Sequence, residues 1–375
     1  MTEDNRYVGR RTVLTTIGGT AVLGSGVAGT VGASQHCDAV VSDGDSVQAA
    51  IAGAAPGDTV CVEPGTYEED VSVDIDRLTL KGPNAGTAGD EDRGDEATVN
   101  GQVILSGDET TLDGFEVSPP PAESTQTSEA IRASNTPNDV AIENNVVRDF
   151  ERDDSGGGFY GVDGINLFGG DVNEAIENAT VRRNKVQNIR NEDVAGAAGI
   201  SVQGNVEGAV VEANVVTEIA EEVTAYGFGV VIRGTGNHDE VPTDVEVSGN
   251  DLTDVLSDPG SQFDGVGFEV EAEGTNYEAT ENRIEDNNLG IEVKTAAAET
   301  SVNRNDIAGN TRLGALNTDG DTLDATENWW GHASGPGGPD GRRNPAGREV
   351  GQGDDIEGDV AFDPWLRRSI DNPSR

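Results

Sequence analysis

The sequence predicts an all-β solenoid in which short strands stack as repeated rungs and pair in parallel with their neighbours. Two repeated phrases predict it, and a missing rhythm excludes the main rival. The first phrase is apolar, two residues, Asn, one residue, apolar. It occurs around Asn145, Asn184, Asn214, Asn250, Asn282, Asn305 and Asn328, at spacings of 23 to 39 residues. A fixed phrase at variable spacing describes one structural rung carrying loops of different length. The second phrase is a Gly followed by alternating apolar residues: Gly164-Ile-Asn-Leu167, Gly199-Ile-Ser-Val202, Gly229-Val-Val-Ile232, Gly265-Val-Gly-Phe268 and Gly290-Ile-Glu-Val293. A period of two marks a strand with one buried face. No repeat shows the 3.6-residue apolar rhythm that a helical solenoid requires.

Each rung therefore holds at least two short strands joined by turns. Glycine suits turns that need positive φ or a close backbone approach. Stacked at the strand spacing of about 4.8 Å, Ile165, Ile200, Val230, Val266 and Ile291 should form one inward apolar column. The Asn phrases should form a second column at a turn, where Asn tolerates the left-handed region and its amide can bond backbone above and below. Stacked Asn ladders stabilise stacked-strand structures.

The N-terminus reads differently. Arg10-Arg11 precedes an apolar stretch rich in Gly, Ala and Thr, and Val31-Gly32-Ala33 supplies small residues at a cleavage position. Residues 1–33 read as a twin-arginine export signal. No later apolar stretch is long enough to span a membrane, so the exported product is expected outside the cell or at its surface, as a monomer. The chain has two cysteines, Cys37 and Cys61. In an exported protein an even pair favours a disulfide, which would tie the incoming segment to the first rung; two free buried thiols are the alternative.

The formal net charge is −46, from 70 acidic and 24 basic residues spread along the chain. Such a surface repels itself in dilute salt, whereas molar salt shrinks the Debye length to about 3 Å. It reads as adaptation to high salt, and it disfavours binding to nucleic acid.

The phrase series resembles the right-handed parallel β-helix repeat of the pectin-lyase-like superfamily. Ser46 to Ala55 resembles that family's short capping helix, Pro56 to Tyr67 its first rung, and Leu78-Thr-Leu-Lys-Gly82 its next strand. The segment from Asn328-Trp-Trp-Gly331 to Phe362-Asp-Pro-Trp-Leu366 resembles the close of many secreted archaeal and bacterial members. Together with the acidic surface, this places the resemblance with the haloarchaeal secreted type. The resemblance implies a single-stranded right-handed parallel β-helix of about nine coils over residues 34–330, with residues 331–375 closing it. It is specific for fold and weak for activity, since the fold hosts lyases, hydrolases, epimerases, adhesins and maturation factors.

Residues at equal phase line up on the outer surface of such a solenoid. Four positions after each strand Gly stand Phe168, Gln203, Arg233, Glu269 and Lys294, with Asp163, Tyr226, Asp264 and Glu292 at nearby phases. The loop from Asp149 to Tyr160 is long enough to overhang them. Arg233 and Lys294 could pair with uronate carboxylates, Tyr160 could stack on a sugar ring, and calcium could bridge Glu269 to an acidic ligand. Alternatively, Arg233, Glu269 and Lys294 simply neutralise one another.

Catalytic phrases are incomplete. Asp153-Asp154 and Val162-Asp163-Gly-Ile165 resemble parts of the polygalacturonase set, without its Gly-His-Gly and Arg-Ile-Lys. Tyr226-Gly-Phe-Gly229 resembles the start of the alginate-epimerase phrase, without the Asp-Pro-His that would move the proton. Asp163, Asp264 and Tyr226 are the catalytic candidates that survive. His36, His238 and His332 lie far apart and suggest no shared metal site. Asn317, Asp319, Asp321 and Asp324 could offer oxygens to calcium, though a polar turn explains them.

The sequence thus predicts a protein that binds or processes an extracellular acidic polysaccharide or cell-surface glycan. Chemistry, if any, would be that of a lyase, glycoside hydrolase or epimerase. A non-catalytic adhesion solenoid stays open. So does a maturation factor of the copper-enzyme-associated type, although one Met and three His weaken copper handling.

Overall fold

A computed structural model describes residues 36–121, 128–152, 161–170, 175–191, 196–220, 225–235, 240–258, 264–338 and 351–370. The export signal, Asp153-Asp154, Tyr160 and His238 lie outside the described residues. From Cys37 onward the chain is a right-handed parallel β-helix of three sheets, with 14, 9 and 11 strands among the described residues. In a central coil the chain runs through Ala141–Glu143 of sheet I, turns at Asn144-Asn145, and continues through Val146–Arg152 of sheet II. It then enters sheet III through Val162–Gly170 and returns to sheet I. All strand pairs join rung to rung in parallel, as in Ala141↔Thr180 and Val146↔Lys185.

Inside the coil, like stacks on like. In sheet I, Leu80, Leu112, Ile142, Val181, Val211, Val247 and Val302 occupy one register column, all fully buried, interrupted only by Ala279. Each large member contributes about 1.5–3 kcal/mol of burial. Helix α1 (Val47–Ala52) covers the N-terminal end, burying Val47 and Ile51. Ser46 caps it, its hydroxyl accepting from the Ala49 N–H. Glu69 from the neighbouring rung accepts from the Val47 N–H at 2.6 Å and from the Ser46 hydroxyl at 2.7 Å. Among the described residues no helix is long and apolar enough to cross a membrane.

The expected disulfide is present between Cys37 and Cys61, with Cα atoms 5.7 Å apart. It links the entering segment to strand Thr59–Val62.

The seven Asn residues form one continuous ladder. From Asn184 onward, each Oδ1 accepts from the backbone N–H and the Nδ2 of the Asn one rung earlier, from Asn145–Asn184 through Asn305–Asn328, at 2.7–3.1 Å, and the Asn145 Oδ1 accepts from the Phe115 N–H. Each Nδ2 also donates to a strand carbonyl, as Asn184 does to Ile142 at 2.9 Å. One detail differs from expectation. The left-handed position is taken by the residue before each ladder Asn: Asn144, Arg183, Ala213, Gly249, Glu281, Arg304 and Glu327 all have φ between 52° and 63°. Strain of about 1–2 kcal/mol at each non-glycine member is offset by three satisfied bonds per Asn.

Two further expectations need correction. The strand glycines stack as Gly164, Gly199, Gly229, Gly267 and Gly290, so Gly267, not Gly265, belongs to the column. The reason is close approach. A Cβ on Gly229 would lie 2.4 Å from the Gly267 carbonyl oxygen, and one on Gly199 2.3 Å from a Val216 methyl. Phe268 therefore stacks on Val230 where Val266 was expected. There are also more coils than nine. The early rungs carry no ladder Asn, and Gly353–Glu357 and Val360–Ala361 of the closing segment add to sheets III and I.

Candidate functional site

Sheet III has the longest strands, and its outward face carries the buried polar residues Glu129, Ser134, Asp163, Asn166, Ser201 and Glu269. Three register columns run along it. The first holds Glu129, Asp163, Ala198, Phe228, Val266 and Leu289. The second holds Arg132, Asn166, Ser201, Val231, Glu269 and Glu292. The third holds Ser134, Phe168, Gln203 and Arg233, and continues through Glu271 to Lys294. The two-residue shift at Gly267 thus puts Glu271, not Glu269, in line between Arg233 and Lys294.

One polar cluster lies at the N-terminal end of this face. Glu129 and Asp163 are register partners on adjacent rungs and almost wholly buried, at 4% and 1% exposure. The Gln102 amide donates to the Glu129 carboxylate at 3.3 Å, and Arg132 pairs with Glu129 at 3.4 Å. The Arg132 guanidinium lies 4.2 Å from the centre of the Phe168 ring. Arg233 reaches back two rungs to pair with Asp163 at 2.6 Å, and the Asn166 amide donates to the same carboxylate oxygen at 2.7 Å. Burial raises the Glu129 carboxyl to about 7; the Asp163 charge adds to this, and Arg132 and Arg233 oppose it. A carboxyl with that value is half-protonated at neutral pH, as a general acid or base requires.

A second cluster lies further along. Lys294 contacts Glu269 at 2.9 Å and Glu271 at 2.7 Å, with Glu292 at 3.7 Å. Glu269 is fully buried, and burial, reinforced by the charge of Glu271, holds its carboxyl well above the usual range. Burial also acts against ionisation of Glu271, but hydrogen bonds from Glu269 and Lys294 outweigh it and lower that carboxyl. The proton of the pair rests on Glu269, and Glu271 carries the charge facing Lys294.

Between the clusters the face is apolar. Ala198, Phe228, Val231, Val266 and Leu289 pack together, with Tyr226 against them and stacked on Phe228 at 6.0 Å. Lys294 lies 5.7 Å from the centre of the half-buried Tyr226 ring.

The structure groups the catalytic candidates only in part. Asp163 belongs to the first cluster. Asp264 sits three rungs away, about 14 Å along the stack, and pairs with Arg312. Tyr226 precedes Gly227, whose register partner is Gly265, so Tyr226 and Asp264 are rung neighbours. Glu129 was missed by sequence reasoning. Its rung has Ala130 where later rungs have the column glycine, so the repeated phrase is broken there; the alternation Ala130-Ile131-Arg132-Ala133 was the remaining signal.

Polar turns account for the oxygen-rich segment near residue 320. The Asp319 carboxylate accepts from the Ala297 N–H and the Asn317 amide donates to the Asp321 and Asp359 carbonyls. His332 bonds Ser334 within the closing segment.

No protein-family model matches the chain, and no curated protein matches it in sequence. Solved structures with a similar trace include a pectate lyase, at 11% identity and TM-score 0.45, covering 89% of this chain and 80% of the other. A periplasmic alginate epimerase matches at 13% identity and TM-score 0.41, covering 87% and 84%. The A-module of a mannuronan C-5 epimerase from Azotobacter vinelandii matches at 15% identity and TM-score 0.38, covering 85% and 94%. The parallel β-helix assignment stands on this chain's own three sheets.

Proposed function

We propose that this chain is an exported, salt-adapted β-helix protein that binds and processes an acidic polysaccharide along the outward face of sheet III. Glu129 is the proton-transferring group, with Asp163 and Arg233 beside it. One observation carries this reading. Among the described residues, four buried side-chain polar atoms on this face have no hydrogen-bond partner: Arg132 Nε, Asn166 Oδ1, Ser201 Oγ and Arg233 Nε. Each unpaired buried group costs about 1–3 kcal/mol, so their concentration on one face suits a ligand that supplies both donors and acceptors. Sugar hydroxyls do both.

Charge on the face supports an acidic polymer despite the acidic surface. Five carboxyls (Glu129, Asp163, Glu269, Glu271 and Glu292) oppose three bases (Arg132, Arg233 and Lys294). With protons on Glu129 and Glu269, three negative charges meet three positive ones. The face is then neutral below about pH 7, and Arg132 and Lys294, with side chains 27% and 31% exposed, form its reachable rim. Calcium bridging to Glu271 or Glu292 remains part of the proposal and is tested by chelation.

The test is to incubate the mature protein with uronate polymers in molar salt, with and without chelator, and to follow binding, new reducing ends, unsaturated ends and C-5 configuration. Turnover that disappears in Glu129→Gln while binding persists supports the proposal. Failure to bind any acidic glycan sinks it. The ion pairs Asp163–Arg233 and Glu269–Lys294 favour one second reading, a non-catalytic surface solenoid; binding without turnover in the parent protein would select it. A fall in melting temperature on dialysis to about 0.1 M salt, where the Debye length is about 10 Å, tests the salt adaptation separately.

A further inference from the structure

We propose that Asn178 is an N-glycosylation site, open to modification in the folded chain. The acceptor pattern Asn-X-Ser/Thr, with X other than proline, occurs once in the sequence, as Asn178-Ala179-Thr180. The proposal rests on the export reading above, because modification needs passage to a compartment that holds the sugar donor.

Asn178 lies between strands Ile176–Glu177 and Thr180–Arg182, in the turn that leads into sheet I. It is exposed, with φ 55°. Its backbone N–H donates to the Glu207 carbonyl, which holds the turn. Among the described residues its carboxamide has no hydrogen-bond partner. This turn recurs from rung to rung, and its column runs Asp139, Asn178, Gly208, Asp244, Asn276, all at positive φ. The other asparagine of the column is occupied: Asn276 Nδ2 donates to Asp244 Oδ1 at 2.7 Å. Asp244 lies one rung before Asn276; the corresponding residue for Asn178 is Asp139, and among the described residues no hydrogen bond joins their side chains, while Gly208 on the following rung has no side chain to engage Asn178. A Cβ built on Gly208 would come 3.1 Å from Asn178 Oδ1. The one asparagine with an acceptor pattern is thus exposed, lies in a turn, and has its amide nitrogen unbonded among the described residues.

The chemistry is a glycosyl transfer. Asn178 Nδ2 attacks the anomeric carbon of an oligosaccharide carried on a lipid phosphate. The carbon–nitrogen bond forms as the carbon–oxygen bond to phosphate breaks. The amide proton passes to a base of the transferase, and the lipid phosphate leaves. A donor of that class and its transferase are the required co-reactants. A twin-arginine substrate meets them already folded, so the acceptor must be accessible in the folded state, as Asn178 is.

The full chain, made by the cells that naturally produce it, should be collected from outside the cell, digested and measured by mass spectrometry, with a second secreted glycoprotein as positive control. A sugar mass on the Asn178 peptide is expected, absent in Asn178→Gln and retained in Thr180→Ser. An unmodified Asn178 peptide beside a modified control overturns the proposal. If that unmodified protein is also found only inside the cell, the export reading fails with it.

Discussion

Two stacks of buried polar side chains run along this solenoid, and they are built to opposite ends. The turn column from Asn145 to Asn328 repeats one residue, and every member has both its amide oxygen and its nitrogen engaged. The outward face of sheet III changes residue at nearly every rung and leaves Arg132 Nε, Asn166 Oδ1, Ser201 Oγ and Arg233 Nε without partners among the described residues. Rung spacing and parallel register are the same in both. Repetition lets each rung satisfy the next, whereas variation leaves polar capacity for something outside the chain. A fully satisfied buried network rigidifies, and a partly satisfied one is costly unless it has a use.

Substitution should separate the two stacks, and the largest effect belongs to the ladder. Asn214→Leu removes the acceptor for the Asn184 N–H and Nδ2 and the donor to the Val181 carbonyl. A loss of about 3–5 kcal/mol follows from stranding several buried groups at once. Chemical denaturation in molar salt would measure it, and a loss under about 1 kcal/mol would remove the distinction between the stacks.

Arg233→Ala comes next. It strands the Asp163 carboxylate, which is 1% exposed. Breaking a buried pair on one side costs about 3 kcal/mol, softened here because the Arg233 side chain keeps 18% exposure. The same variant should weaken glycan binding. Stability loss with unchanged binding would make this stack as purely structural as the ladder.

Glu129→Gln should have the next smaller effect, and one that depends on pH. The folded carboxyl titrates near 7, above its ordinary value near 4.5. Its stabilisation is therefore fully present below about pH 4.5 and is lost as pH rises through 7. The neutral variant has no such loss. Relative to the parent it should gain about 2–3 kcal/mol between pH 4.5 and 8, read from paired denaturation curves. A pH-independent difference would show that Glu129 ionises normally. Ser201→Ala is the smallest. Its hydroxyl has no partner, so stability should change by less than about 0.5 kcal/mol or rise slightly, while glycan affinity falls.

Much of the ladder was legible from the chain alone, for a physical reason. Each Asn meets its equivalent one rung away, so a repeated phrase in sequence becomes a repeated contact in space. The sheet III face was legible only in part. Arg233 and Lys294 were placed two rungs apart, as found, but the residue between them is Glu271. Gly265-Val-Gly-Phe268 offered two glycines, and only the 2.4 Å approach of a Cβ on Gly229 to the Gly267 carbonyl oxygen decides between them. A shorter second ladder went unseen. Asn287 bonds Asn310 at 3.1 Å, and Asn310 bonds Asp354 at 3.0 Å. Its last member lies 44 residues on and is no longer an asparagine.

By itself, the sequence determined what one rung dictates: the period-two strands and the turn Asn. These depend on neighbours a few residues away or on an unbroken repeat. The tertiary structure alone decided which side chains of different rungs share a column. Glu129 and Asp163 are 34 positions apart in the chain and register partners in the sheet, whereas Asp163 and Asp264 are both strand-entry aspartates and never meet. Loop length between rungs varies without changing the rung, so sequence distance carries no record of which rung a residue faces. Only pairing in the sheet sets that, and with it the burial that lifts Glu129 toward neutral pH.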